Sequence, residues 1–189
     1  MLVDSHCHLD HLDLSDRDGG LSGVIHSAEA RGVTHFLSVA VDIANSRSLI
    51  DLTAEFDNVY SSVGVHPLQK TTQPVPSVEE LISLAQQPRV VAIGETGLDN
   101  FYSSETIDWQ RQSFINHLQA SQQIGKPVII HTRDAREETI QLMREYTPSR
   151  WRCDALLYRD MGDGRAGVGA GLLYFLFWYR HLCQCRAIA

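Results

Sequence analysis

Along the first 150 residues, apolar and polar positions fall into blocks whose period switches from one block to the next. Short apolar runs of strand length alternate with stretches whose apolar residues recur every three or four positions, the spacing of a helix with one buried face. Leu2 to Asp4 begins a strand ending in Ser5-His6-Cys7-His8; Leu21 to Arg31 reads as a helix and Thr34 to Ala40 as a strand. Ile43 to Phe56 is a helix, and Val59 to Val65 a strand closed by His66-Pro67. Val78 to Gln86 is a helix with Ser77 placed as its N-cap. Val90 to Ile93 is a strand running into Gly94-Glu95-Thr96-Gly97, and Thr106 to Ile124 a long amphipathic helix stopped by Gly125. Pro127 to Ile130 is a strand ending at His131, and Ala135 to Tyr146 a helix with Asp134 as its expected cap.

Five strand–helix units in strict alternation predict an α/β fold, a parallel sheet covered by helices. Roughly 30 residues per unit suits a (β/α)8 TIM barrel, which needs about 250 residues. The expected fold is therefore an incomplete barrel of about five units.

Residues 151–189 break the pattern: they contain no Lys, Glu or Pro and hold three of the four cysteines (Cys153, Cys183, Cys185). Their longest apolar run, Ala166 to Tyr179, has neither period and is too short and glycine-rich for a membrane span, which takes about 20 apolar residues. The expected organisation is a barrel part in residues 1–150 and an aberrant tail in 151–189.

Composition narrows the setting. An apolar content of 43% and a charged content of 21% over 189 residues fit one soluble globular domain. The net charge of −7 offers no basic face for a polyanion, so a phosphodiester substrate requires bound metal to supply positive charge locally. Without a basic-then-apolar leader or a zinc-type cysteine pair, the expected location is the cytoplasm, with reduced thiols.

The chemistry-bearing residues share one position in the pattern. His6 and His8, His66, Glu95 and His131 each lie at the C-terminal end of a predicted strand, the end that frames the mouth of a barrel enzyme. Residues two apart on a strand point the same way, so His6 and His8 can bind one cation. Asp4 reads equally as a brace for an imidazole or as a turn residue. Glu95 can bridge two cations through its two oxygens, His131 matches a second site, and Arg133 offers either a forked phosphate contact or a surface ion pair. His66 reads as a substrate contact or a satisfied loop histidine, and Asp99 as a nearby helper or a solvated loop residue. His11, His26, His35, His117 and His181 carry no functional reading. The chemistry these groups support is two-metal hydrolysis. It needs a final carboxylate to take the water's proton, and residues 1–150 offer none that convinces.

Four blocks, Ser5-His6-Cys7-His8-Leu9-Asp10, Gly64-Val65-His66-Pro67, Gly94-Glu95-Thr96-Gly97-Leu98-Asp99 and Val128-Ile129-Ile130-His131-Thr132-Arg133-Asp134, resemble in order and spacing the TatD family of metal-dependent deoxyribonucleases. The resemblance runs to about residue 147. It implies an amidohydrolase-type TIM barrel, two divalent cations (zinc, manganese or magnesium) and hydrolysis of DNA or another phosphoester, often from an end. By that match His6 and His8 bind one metal, Glu95 bridges, and His131 binds the other; His66 and Arg133 are the expected substrate contacts. The family continues with strands ending in His-Cys-Phe-Thr and Glu-Thr-Asp-Ser-Pro, whose histidine completes the second site and whose aspartate is the base. Neither block appears here.

The genetic code suggests why. Shifted by one base, Trp151-Arg152 forces Gly and Met161-Gly162 forces Trp. Cys153 to Tyr158 then permits Ala-Met-His-Cys-Phe-Thr, and Phe175 to Leu182 permits Ser-Phe-Ser-Gly-Ile-Val-Thr-Phe, a family strand. The tail is thus expected to be out-of-frame translation, the barrel to stop with its first and fifth strands as open edges, and activity to be impaired or lost.

Overall fold

The computed structural model describes residues 2–69 and 74–146, together with the backbone of 155–158. Strands and helices alternate: β1 (Leu2–Cys7), α1 (Gly20–Glu29), β2 (Val33–Ser38), α2 (Ile43–Thr53), β3 (Val59–Val63), α3 (Val78–Ala85), β4 (Val90–Asp99), α4 (Ile107–Ile124), β5 (Val128–Arg133), α5 (Arg136–Tyr146) and β6 (Ala155–Tyr158). All neighbouring strands pair in parallel, in the order β1-β2-β3-β4-β5-β6. Sequential order with a helix in each crossover from β1 to β6 is the winding of a (β/α) barrel.

Local chemistry explains the helix boundaries. Asp42 caps α2 by accepting from the Asn45 N–H at 2.7 Å, and Ser77 caps α3 by accepting from the Glu80 N–H at 3.1 Å; each cap contributes about 1 kcal/mol. Glu79 and Glu80 in the first turn of α3 favour its dipole. Gly125 ends α4 in the left-handed conformation, as expected. Asp134 does not cap α5: the Ala135 carbonyl accepts the first helical bond, from the Thr139 N–H, and Asp134 stands before it at φ 50°.

The sheet is strongly curled. Glu95 of β4 donates its N–H to the carbonyl of Ala40, just past β2, at 3.0 Å. In a flat sheet, alternate strands lie roughly 10 Å apart, so this bond closes only across a concave face. Between them Ser62 of β3 accepts from the Ala40 N–H and donates to the Gly94 carbonyl. Leu37, Val39, Ala92 and Ile129 pack on the concave side. The opposite faces pack under helices: Phe36 and Val59 with Ile25 of α1, and Val128 and Ile130 with Phe114 and Leu118 of α4. On β5 this is plain period-two alternation, which leaves His131 on the side of Ile129.

Two differences from the sequence reading matter for the site. β4 does not stop at Ile93 but runs to Asp99, and Gly94 and Gly97 within it let strands approach closely. A Cβ on Gly97 would lie 2.0 Å from the His131 carbonyl oxygen, and its φ of 140° disfavours other residues. The edge at β5 is also not open. The apolar run Ala155–Tyr158 forms β6, with Tyr158 in register with His131. The rest of the expected out-of-frame tail lies outside the described residues.

Candidate metal centre

Glu95 divides its two carboxylate oxygens between two sets of imidazoles. Its Oε2 lies 3.4 Å from Nε2 of His6, while its Oε1 lies 3.6 Å from Nδ1 of His131 and 3.8 Å from Nε2 of His66. Two groups of donor atoms, each within 4.8 Å of one another, therefore share this one carboxylate: His6, His8 and Glu95, and His66, Glu95 and His131. Strands β1, β4 and β5 and the loop after β3 bring them to one end of the sheet, as the strand-end pattern predicted. A buried carboxylate facing imidazoles from both sides is a donor set that fits divalent cations of the zinc or manganese kind.

Hydrogen bonds decide which nitrogens can be ligands. His8 Nδ1 lies 2.9 Å from the Val39 carbonyl, which only accepts, so Nδ1 carries the proton and Nε2 keeps its lone pair. His131 Nε2 lies 3.0 Å from Oδ2 of Asp99. With that nitrogen donating, the lone pair of neutral His131 sits on Nδ1, facing Glu95. His66 is different: the Leu68 N–H donates to its Nδ1 at 3.1 Å, which leaves the proton on Nε2, 3.3 Å from His131 Nδ1. His66 thus presents an N–H to the site, where His8 and His131 present lone pairs.

Charge follows the same division. Burial works to raise the Glu95 pKa, but the imidazoles of His131 and His6 outweigh it and hold the carboxyl well below the usual carboxylate range. Burial works to lower the His131 pKa, and the carboxylates of Glu95 and Asp99 outweigh it, for a net rise. Burial pushes His66 down to about 4, against the pull of Glu95, so at neutral pH it is an uncharged donor.

Residues 3–154 match the family described as TatD related DNase. An Escherichia coli protein named "Uncharacterized metal-dependent hydrolase YcfH" is 47% identical over 144 residues, covering 76% of this chain and 54% of its own length. The chain belongs to the TatD family. The Escherichia fergusonii "3'-5' ssDNA/RNA exonuclease TatD" is 33% identical over 131 residues, covering 69% of this chain and 49% of that protein. In fold, the chain resembles the crystal structure of YJJV, a TatD homologue from Escherichia coli, with a TM-score of 0.63 and 24% identity over 77% of this chain and 56% of that one. The chain thus spans about half the length of these TatD relatives.

Around the candidate centre lie four groups that the sequence reading left open or passed over. Asp99 is fully buried, not solvated. Its Oδ2 meets His131, and its Oδ1 accepts from the N–H groups of Phe101 and Tyr102 at 3.0 and 2.7 Å. The signal was there: Glu95, Gly97 and Asp99 alternate on one side of a strand once β4 is allowed its full length. His117 of α4, given no functional reading, is buried; its Nδ1 donates to the Ser113 carbonyl at 2.6 Å and its Nε2 accepts from the Val65 N–H at 3.0 Å. It fixes the backbone next to His66, and burial holds its pKa down to about 4, so it stays neutral. The Asp4 carboxylate accepts from the His6 backbone N–H at 3.4 Å. Arg133 stands directly opposite Asp99 in the β4–β5 register, its guanidinium against Phe101 and Tyr102. Among the described residues, no helix is long and apolar enough to cross a membrane.

Proposed function

We propose that this chain is a TatD-type metal-dependent phosphodiesterase acting on DNA or related nucleic acid through two divalent cations, with turnover well below that of a full-length relative. The observation that carries the reading is the division of the Glu95 oxygens between two imidazole sets. His6, His8 and Glu95 would hold one cation, and Glu95 and His131 would hold the other. Bound there, such cations supply an activated water near neutral pH and positive charge for the phosphate.

The chain's own residues do the positioning. The Val39 carbonyl and the Asp99 carboxylate fix the rings of His8 and His131, sparing the site the cost of ordering them on binding. His66, neutral with its N–H on Nε2, donates to a phosphate oxygen or the attacking water. Arg133 extends its guanidinium edge to a second phosphate oxygen. The name of the Escherichia fergusonii relative supports nucleic acid as the substrate class.

Two observations support reduced turnover. Glu95 is the sole carboxylate in the two donor groups among the described residues, and it is committed to both. Asp99 is occupied by His131 and by two backbone N–H groups, so neither is available to take the water's proton. We read the segment from about 151 as out-of-frame translation, and the nucleotide sequence across codons 147–152 tests that directly. For the activity, a labelled single strand is incubated with the chain and Mn²⁺ or Mg²⁺, beside Glu95→Gln. Slow, chelator-sensitive cleavage lost in the variant is expected. Cation binding without cleavage marks a non-catalytic fragment, and no cation binding at all overturns the reading.

A further inference from the structure

Phe101 and Tyr102 lie in the turn just after β4, beyond Asn100, and are 56% and 59% exposed, although both are large and aromatic. They are not loosely held. Their backbone N–H groups are both bound by Oδ1 of Asp99, the carboxylate whose other oxygen meets His131. The turn is tied again where Asn100 donates its N–H to the Arg133 carbonyl at 2.9 Å and its side-chain amide to the Asp134 carbonyl at 3.1 Å. The two rings meet edge to face with centroids 4.6 Å apart, and the Arg133 guanidinium lies 4.2 and 4.3 Å from their centroids. The result is a fixed aromatic pair at the rim of the candidate metal centre, one carboxylate removed from His131, with a cation seated on it.

A surface of this kind suits one ligand chemistry. Every nucleobase has a π-face that stacks on an aromatic ring, and a guanidinium beside the rings meets the phosphate attached to that base. Bases in a duplex are already stacked and paired, whereas unpaired bases are free to turn onto a protein ring. Resting on the phosphodiesterase reading above, we propose that Phe101 and Tyr102, held by Asp99 and Arg133, form a stacking subsite for the unpaired base that flanks the phosphate at the metal centre.

The test is binding, read by fluorescence anisotropy of a labelled phosphorothioate oligothymidylate with Mg²⁺ present, so that the strand stays intact. Three ligands are compared on the full chain: the single strand, the same strand made abasic, and its duplex. Phe101→Ala/Tyr102→Ala is expected to bind the single strand roughly five- to a hundredfold more weakly, the loss that removing a stacking contact produces. The abasic strand, which leaves the protein unaltered, is expected to bind the unchanged chain with a comparable loss, and Phe101→Trp to retain affinity. Equal affinity of the unchanged chain and the double variant, or of base-bearing and abasic strands, overturns the stacking subsite while leaving the phosphodiesterase reading intact. Failure of the unchanged chain to bind any of the three overturns both.

Discussion

Asp99 accepts a hydrogen bond from the Nε2–H of His131 at 3.0 Å, and it does so from a fully buried position at the last residue of β4. A carboxylate there fixes the imidazole's tautomer as well as its angle. Asp99→Asn separates those effects, because the amide oxygen can still accept from Phe101 and Tyr102 while the amide nitrogen turns a donor toward a donor. The ring is then driven to carry its proton on Nδ1, toward the cation. Calorimetric titration with Mn²⁺ is expected to show the Glu95–His131 site weakened roughly 10- to 100-fold and the His6–His8 site nearly unaffected. Equal weakening at both sites would contradict a role specific to His131.

The upward shift of His131 sets a second expectation. Its folded pKa is raised, so as pH falls through neutrality a proton increasingly occupies the nitrogen a cation needs. Cation affinity should therefore fall as pH is lowered, with protons released on binding near pH 7. Titrations in buffers of different ionisation enthalpy measure that release directly. In Glu95→Gln the carboxylate that raises the shift is gone, so proton release should shrink along with affinity at both sites. Buffer-independent heats in the unchanged chain are the result that rules this out.

Much of this was legible in the sequence, and the parts that were not have physical causes. His6, His8, Glu95 and His131 stood out because strand ends converge in a barrel whatever packs around them. Asp99 and the length of β4 were hidden because Gly94 and Gly97 serve there for close approach to β5, and a glycine's reason is invisible until its neighbour is known. His117 was hidden for a similar reason. Its partners, Ser113 and Val65, are respectively four residues away on one helix and 52 residues away, so only folding brings its second nitrogen to the Val65 N–H. The Ala155–Tyr158 strand was not read from the sequence, because four residues show no period and pair only once β5 stands beside them.

Gly97→Ala tests the close approach. A Cβ placed 2.0 Å from the His131 carbonyl oxygen must push β5 away from β4, at a φ of 140° that alanine rarely adopts. The expected loss is on the order of 3 kcal/mol, from steric displacement and backbone strain together. Because the displaced residue is His131, cation affinity should fall even where the variant remains folded. A melting temperature and cation affinity unchanged within error would mean that the strands separate more easily than the geometry implies.

His117 gives a pH dependence of stability whose sign can be fixed in advance. Its ordinary pKa is 6.5, and burial lowers the folded value to about 4, so the folded state favours the neutral ring that donates to Ser113 and accepts from Val65. The stability this contributes is fully present above pH 6.5 and is lost as pH falls from there toward 4, where protonation of the unfolded chain leads that of the folded one. A gap of that size corresponds to roughly 3 kcal/mol across the window. In His117→Gln the side-chain oxygen can still accept from the Val65 N–H, but nothing titrates. Stability near neutral pH should drop by about 1 kcal/mol for the imperfect replacement, while the decline between pH 6.5 and 4 becomes shallower. Urea denaturation at several pH values compares the two slopes, and parallel curves would show that the acid sensitivity of the fold arises elsewhere than at this buried ring.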